Sequence, residues 1–214
     1  RRANPLTLQA KIRWRRKIPM PYSDTVFDRH VESLIGRMKP ASVLDIGPGA
    51  GKYGRMIQSL RAEGVPIGHL AAIEIDNSYI EQFGLREIYD VIQLGDATTL
   101  PDVGPDASWD LVILGDVLEH FRKSRGIDLI DYLYYRTKYL LLLIPIDYVQ
   151  GAWEGHHAEA HISTWIPEDF ARYKARCVTS NAGSGCEIML VLINGLQARA
   201  GTDLIFADTD VEIA

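Results

Sequence analysis

The chain has 214 residues, 47% hydrophobic and 24% charged, which suits one α/β domain with a substantial core and excludes a disordered chain. Its net charge of −5 is unevenly spread: seven of the 23 Lys and Arg fall in the first 17 residues, before any acid, leaving 16 bases against 28 acids, or −12. Two cysteines, Cys177 and Cys186, make neither a disulfide framework nor a zinc site, and the longest apolar run, YLLLLIPI (139–146), suits a buried strand, not a membrane span. With no signal peptide visible, a reducing cytoplasm is the expected home.

Residues 1–22 read as a basic arm. Such an arm can contact nucleic acid, or fold back on an acidic domain; without a platform of interleaved aromatics the second reading is preferred. Residues 24–38 place Phe27, Val31, Leu34, Ile35 and Met38 on one helical face, with Ser23 or Asp24 as cap and Pro40 as stop. Apolar runs of strand length follow at 42–46, 70–75, 90–94, 110–114, 138–144 and 187–193, with helical candidates between them at 52–63, 77–85, 122–136 and 167–174. Continuous apolar strands interleaved with helices predict one mainly parallel sheet covered on both faces. We divide the chain into the arm (1–22), a domain (23–194) and an extension (195–214), whose apolar LIF suggests packing on the domain or on a partner.

In such sheets ligands bind beyond the carboxyl ends of the strands. There the first domain strand runs into VLDIGPGAGKYG (43–54). A triphosphate loop needs G-x-x-x-x-G-K-[ST], but Lys52 is followed by Tyr53 and the position five before Gly51 is Ile46. Gly49 to Gly54 does spell the G-x-G-x-x-G of dinucleotide folds. Against that stands Asp45, whose negative charge suits a cationic amino group better than a pyrophosphate. Glu74, 23 residues past Gly51, is placed to accept ribose hydroxyls, and Asp96 to accept an adenine amino proton. Together these point to a ligand with an amino acid at one end and adenosine at the other.

VLDIGPGAGKYG, AAIEID, LGDAT and DLVILGDVLEHF, in this order, resemble the successive motifs of class I S-adenosylmethionine-dependent methyltransferases over roughly residues 24–194. The resemblance implies a Rossmann-like, seven-stranded, mainly parallel sheet with a reversed last strand, supplied here by EIMLVLI. It implies S-adenosylmethionine as donor and S-adenosylhomocysteine as product. By position, Asp45, Gly47, Gly49 and Gly51 would wrap the methionine part, Glu74 would hold the ribose, Asp96 and Ala97 the adenine, and Asp116 would line the pocket floor. Tyr53 and Ile75 complete the implied cofactor contacts. A narrower resemblance, through VQGAWEG and EAHISTWIPEDF, is to a group of small, largely uncharacterised bacterial methyltransferases sharing an E-x-H-x-S-x-W stretch, here Glu159, His161, Ser163 and Trp165. The chain departs from that group at His156 and His157, where Asn-Pro is more familiar.

Methyl transfer is an in-line displacement, and an oxygen acceptor benefits from a general base. His120 after the fourth strand, and Glu159 and His161 after the fifth, are the candidates. His161 is expected to act on the acceptor, with Glu159 orienting its imidazole or accepting a substrate hydroxyl. The alternative is that the pair pins its loop, with Trp165 packed beneath. Asp116, Glu119 and His120 are also similar, as D-x-x-E-H, to the E-x-x-E-H metal site of certain quinone and small-RNA O-methyltransferases, which His157 or His161 would complete. A metal-free pocket, with Asp116 serving the cofactor, is the expectation. Tyr148, Trp153 and Trp165 could stack on a sugar or aromatic ring. The small methyltransferases that the chain resembles look like companions of glycan or secondary metabolism, and that resemblance implies a hydroxyl of a small molecule or sugar as the acceptor. RNA is the alternative, as is a silent binding partner that keeps only the fold. Oligomeric state is left open.

Overall fold

Phe27, Val31, Leu34 and Ile35 are buried as their spacing predicts, on and just before α1 (Asp28–Met38). The computed structural model describes residues 23–103, 107–152, 159–182 and 185–206. After α1 the elements run β1 (Ser42–Ile46), α2 (Lys52–Ala62), β2 (His69–Glu74), α3 (Asn77–Gln82), β3 (Val91–Leu94), α4 (Leu100–Val103) and β4 (Trp109–Gly115). Then come α5 (Lys123–Arg136), β5 (Thr137–Ile146), β6 (Ala175–Asn181), β7 (Glu187–Asn194) and α6 (Thr202–Phe206).

The strands form one sheet in the order β3-β2-β1-β4-β5-β7-β6. β1 pairs in parallel with β2 and β4, so strand order reverses at β1. β7 runs antiparallel to both β5 and β6 and is the reversed last strand. The strand alternation feeds two cores. Val43, Leu111, Ile113 and Leu141 pack with α1 and α2, while Leu44, Val112, Leu114 and Leu142 pack with Leu129, Ile130 and Leu133 of α5. With both faces covered, the strands read as unbroken apolar runs instead of alternating ones.

Two expectations need correction. Residues 167–174 hold only a 3₁₀ turn at Pro167–Phe170, and the chain then enters β6. That strand lies at the sheet edge, with only Val178 buried, so its polar sequence ARCVTSN carries no apolar pattern to detect. α3 ends at Gln82, short of 85, because Gly84 takes a left-handed backbone (φ +60°). The extension resolves its own question as far as Phe206. Ile205 and Phe206 of α6 are buried in the α1-side core, and Arg37 donates to the Leu204 carbonyl at 2.8 Å. The arm, Trp153, His156, His157 and residues 207–214 lie outside the described residues. No described helix is long and apolar enough to cross a membrane.

Candidate functional site

The loop between β1 and α2 needs its glycines for two reasons. Gly47 and Gly51 have φ of +66° and +78°, and a Cβ at Gly47 would stand 2.8 Å from the Val117 methyl. The loop is thus pressed against the turn that follows β4. Glu74, at the end of β2, fastens the loop from the other side: Gly49 N–H donates to its Oε2 at 3.2 Å and Asp76 N–H to its Oε1 at 2.9 Å.

Beyond these strand ends opens a cavity of about 770 Å³, within the range of small-molecule sites. Gly47, Gly49, Tyr53, Glu74 and Ile75 line one part of it. Asp96, Ala97 and Asp116 line the rest of the expected cofactor surface, and His120 and Glu159 also reach the cavity. Gly51, Asp45 and His161 do not. Gly51 instead lies against Ile88 and Leu85. Asp45 is a correction to the expected contact with an amino group. It projects to the α2 side of β1, is 1% exposed, and accepts a short hydrogen bond from the Tyr89 hydroxyl. Its role is to support the loop from behind.

The cavity lining is mixed in charge: Asp28, Glu74, Asp76, Asp96, Asp116 and Glu159 stand with Lys52, Arg55, Arg122 and Arg125. Burial raises the Glu74 carboxyl above its ordinary value and pushes Asp116 up to about 6, the latter opposed by a hydrogen bond from Ser23 and by Lys52. Lys52 itself is held by the Asp24 carbonyl and the Asp28 carboxylate. Asp116 has φ +55°, uncommon outside glycine, and its N–H is fixed by the Leu143 carbonyl at 2.9 Å. Asp147, just past β5, repeats this with φ +48°. Both strands therefore turn sharply where the cavity begins.

Opposite the loop, the E-x-H-x-S-x-W stretch divides by function. Ile162 and Ser163 N–H donate to the Glu119 carbonyl at 2.8 and 3.1 Å, and Ser163 Oγ donates to the Leu118 carbonyl at 3.2 Å. Trp165 Nε1 donates to Ser163 Oγ, and its ring, 1% exposed, stacks on Phe170 and sits where a Cβ on Gly126 would come within 2.7 Å. Trp165 is core, which corrects the idea that it stacks on a substrate. Glu159 and His161 point elsewhere. Glu159 Oε1 accepts from the Tyr79 hydroxyl of α3 at 2.8 Å. His161 Nδ1 faces the Tyr148 carbonyl at 2.9 Å, its ring stands edge-on to His120 at 4.8 Å, and burial lowers its pKa to about 4. The imidazole is therefore oriented by a backbone carbonyl and not by Glu159. Tyr79 and Tyr89 escaped the sequence reading because their partners lie 80 and 44 residues away, with no local signal.

Residues 44–129 match the family described as Methyltransferase domain. The magnesium protoporphyrin IX methyltransferase of Synechocystis PCC 6803 with bound S-adenosylhomocysteine is 15% identical, with 78% of this chain and 81% of that chain covered and a TM-score of 0.56. The plantazolicin methyltransferase BpumL, also in complex with S-adenosylhomocysteine, is 14% identical over 80% of this chain and 85% of its own (TM-score 0.56). The methyltransferase domain of bacterial CtHen1 is 15% identical over 78% and 96% (TM-score 0.55). No curated protein matches the chain by sequence. The fold is that of class I, S-adenosylmethionine-dependent methyltransferases, and residues 44–129 within it match a methyltransferase domain.

Proposed function

We propose that the chain methylates a hydroxyl group of a small molecule or sugar, with S-adenosylmethionine held by its glycine loop and three strand-end acids. The observation that carries this reading is the cavity itself, which gathers Gly47, Gly49, Glu74, Asp96 and Asp116 at the carboxyl ends of β1 to β4. Their order matches the polarity of the ligand: Asp96 toward the adenine, Glu74 toward the ribose, and the loop with Asp116 toward the cationic methionine end. When bound, S-adenosylmethionine supplies an electrophilic methyl carbon, to which an acceptor oxygen bonds as the carbon–sulfur pair stays on sulfur.

The chain's own residues orient the acceptor and take its proton. Glu159 is the carboxylate that both lines the cavity and stands on the segment after β5, and we assign it that proton. Tyr79, by donating to Oε1, fixes the carboxylate. His161, behind His120 and outside the cavity lining, is not in position to do this directly. The names of the similar structures put porphyrin and plantazolicin acceptors on this fold, in keeping with a discrete acceptor molecule. Neither Cys177 nor Cys186 is in a disulfide, which suits a reducing compartment.

The test is to incubate the protein and methyl-labelled S-adenosylmethionine with a cell extract, then fractionate. Label in small molecules or glycans is the expected result, with Glu159→Gln lowering the rate by about 10²–10⁴ at unchanged S-adenosylhomocysteine affinity. Label in RNA would make nucleic acid the acceptor, and bound cofactor without any transfer would leave a binding module.

A further inference from the structure

Tyr79 and Glu159 start from opposite sides of the cavity, yet they meet. Tyr79 stands on α3, just past β2, and Glu159 on the segment that follows β5. In the strand order β1 and β4 lie between β2 and β5. Three strand spacings therefore separate the two strand ends, about 14 Å. Even so, the Tyr79 hydroxyl donates to Glu159 Oε1 at 2.8 Å. Both side chains line the cavity, as do Gly47, Gly49 and Asp116 from the strands between, so the hydrogen bond runs across it.

Each end of this bridge is braced. The Tyr79 ring stands edge-on to Phe83 at 5.7 Å, and Arg55 donates to the Phe83 carbonyl at 2.8 Å. On the other side Gln150 Nε2 donates to the Glu159 carbonyl at 2.9 Å, and His161 N–H to the Gln150 carbonyl at 3.0 Å. Tyr79 and Glu159 are 7% and 8% exposed, so little water competes for the bond. A ligand lying from Asp96, past β3, to Asp116, past β4, crosses the stretch that the bridge spans.

We propose that the Tyr79–Glu159 hydrogen bond is a latch, which holds the adenosyl compound in the cavity and opens for it to enter or leave. Tyr79 is thus a positioning residue that sets how long the compound stays. The latch is also coupled to the reaction, because its carboxylate is the one assigned the acceptor's proton. That proton moves to Glu159, the O–H electron pair stays on the oxygen that gains the methyl group, and the carboxylate becomes a neutral acid. A hydrogen bond to an ionised carboxylate is about twice as strong as one between neutral groups. Methyl transfer therefore loosens the latch as the product forms, and loss of the proton to water restores it for the next donor. This coupling rests on the function proposed above; the bridge across the cavity does not.

The test is to follow the uptake and the release of labelled S-adenosylhomocysteine by the full chain, in wild type, Tyr79→Phe and Glu159→Gln. Tyr79→Phe keeps the ring against Phe83 and removes the latch. Its release and its uptake should both be about 10–100-fold faster, the weight of one hydrogen bond to a charged group, with little change in affinity. Glu159→Gln imitates the protonated carboxylate and should fall between the two. Unchanged rates in Tyr79→Phe would overturn the latch, as would faster release with unchanged uptake, which marks a direct ligand contact. Wild-type rates in Glu159→Gln would overturn the coupling. Amide hydrogen exchange of the unliganded proteins supplies a readout that needs no cofactor. The His161 N–H should exchange at least about fivefold faster in Tyr79→Phe, and equal exchange would overturn the latch. A wild type that takes up no S-adenosylhomocysteine would instead refute the methyltransferase reading, and the exchange rates would then decide the latch.

Discussion

The glycine loop and the E-x-H-x-S-x-W stretch face each other across one cavity, yet they are built in opposite ways. The loop is local: a strand, a left-handed turn and a helix start, all within 43–54, fastened by Glu74 at the next strand end. The later stretch has no regular structure from 160 to 166 and is held by distant elements. Ser163 reaches Leu118, Trp165 fills the space above Gly126, and Glu159 reaches Tyr79. A loop can therefore be encoded in a dozen consecutive residues, whereas the segment opposite it depends on packing across the whole domain.

If that contrast is right, the largest single effect on stability belongs to the later stretch. Trp165→Ala should cost about 3–5 kcal/mol, as deletions of buried large aromatics do. Urea unfolding measures it, and a loss below about 1 kcal/mol would mean that the stretch is not anchored through its tryptophan.

A second effect tests the support behind the loop. Burial, only partly offset by the Tyr89 hydrogen bond, pushes the Asp45 carboxyl from 3.8 up to about 7. The folded state therefore holds this proton more tightly than the unfolded chain does. The contribution of Asp45 to stability is fully present below about pH 4 and is lost as pH rises through about 7. Asp45→Asn should gain steadily on the wild type between those two values in chemical denaturation. A constant difference across the range would show that Asp45 is charged in the folded protein. The smallest effect belongs to Ser163, whose hydroxyl joins Trp165 to the Leu118 carbonyl. Ser163→Ala should cost about 1 kcal/mol in the same unfolding measurement, since one buried link is lost while the indole stays packed.

The same contrast explains what the sequence made legible. Val43 to Ile46, Leu70 to Glu74 and Leu111 to Leu114 are buried on both faces, so their apolar runs stand out, and the acids and glycines just past them mark the cavity. Where a residue's role depends on which way its side chain leaves the strand, the pattern failed. Asp45 shares the parity of Val43 and so projects into the α1–α2 side, behind the loop it was expected to serve. The edge strand β6 was missed because one buried residue, Val178, sets no period. Glu159 and His161 stood out in the sequence as a pair but not as separate devices. Their partners, Tyr79 and Glu119, come from other parts of the chain.

The central claim is that the cavity beyond β1 to β4 is the adenosyl-donor site, and calorimetric titration with S-adenosylhomocysteine tests it most directly. The account predicts one site per chain with micromolar affinity, no competition from NADH, and a loss of about 1–3 kcal/mol in Glu74→Ala, where a charged hydrogen-bond acceptor is removed. Tight NADH binding with no heat from S-adenosylhomocysteine, or undiminished affinity in Glu74→Ala, would contradict it.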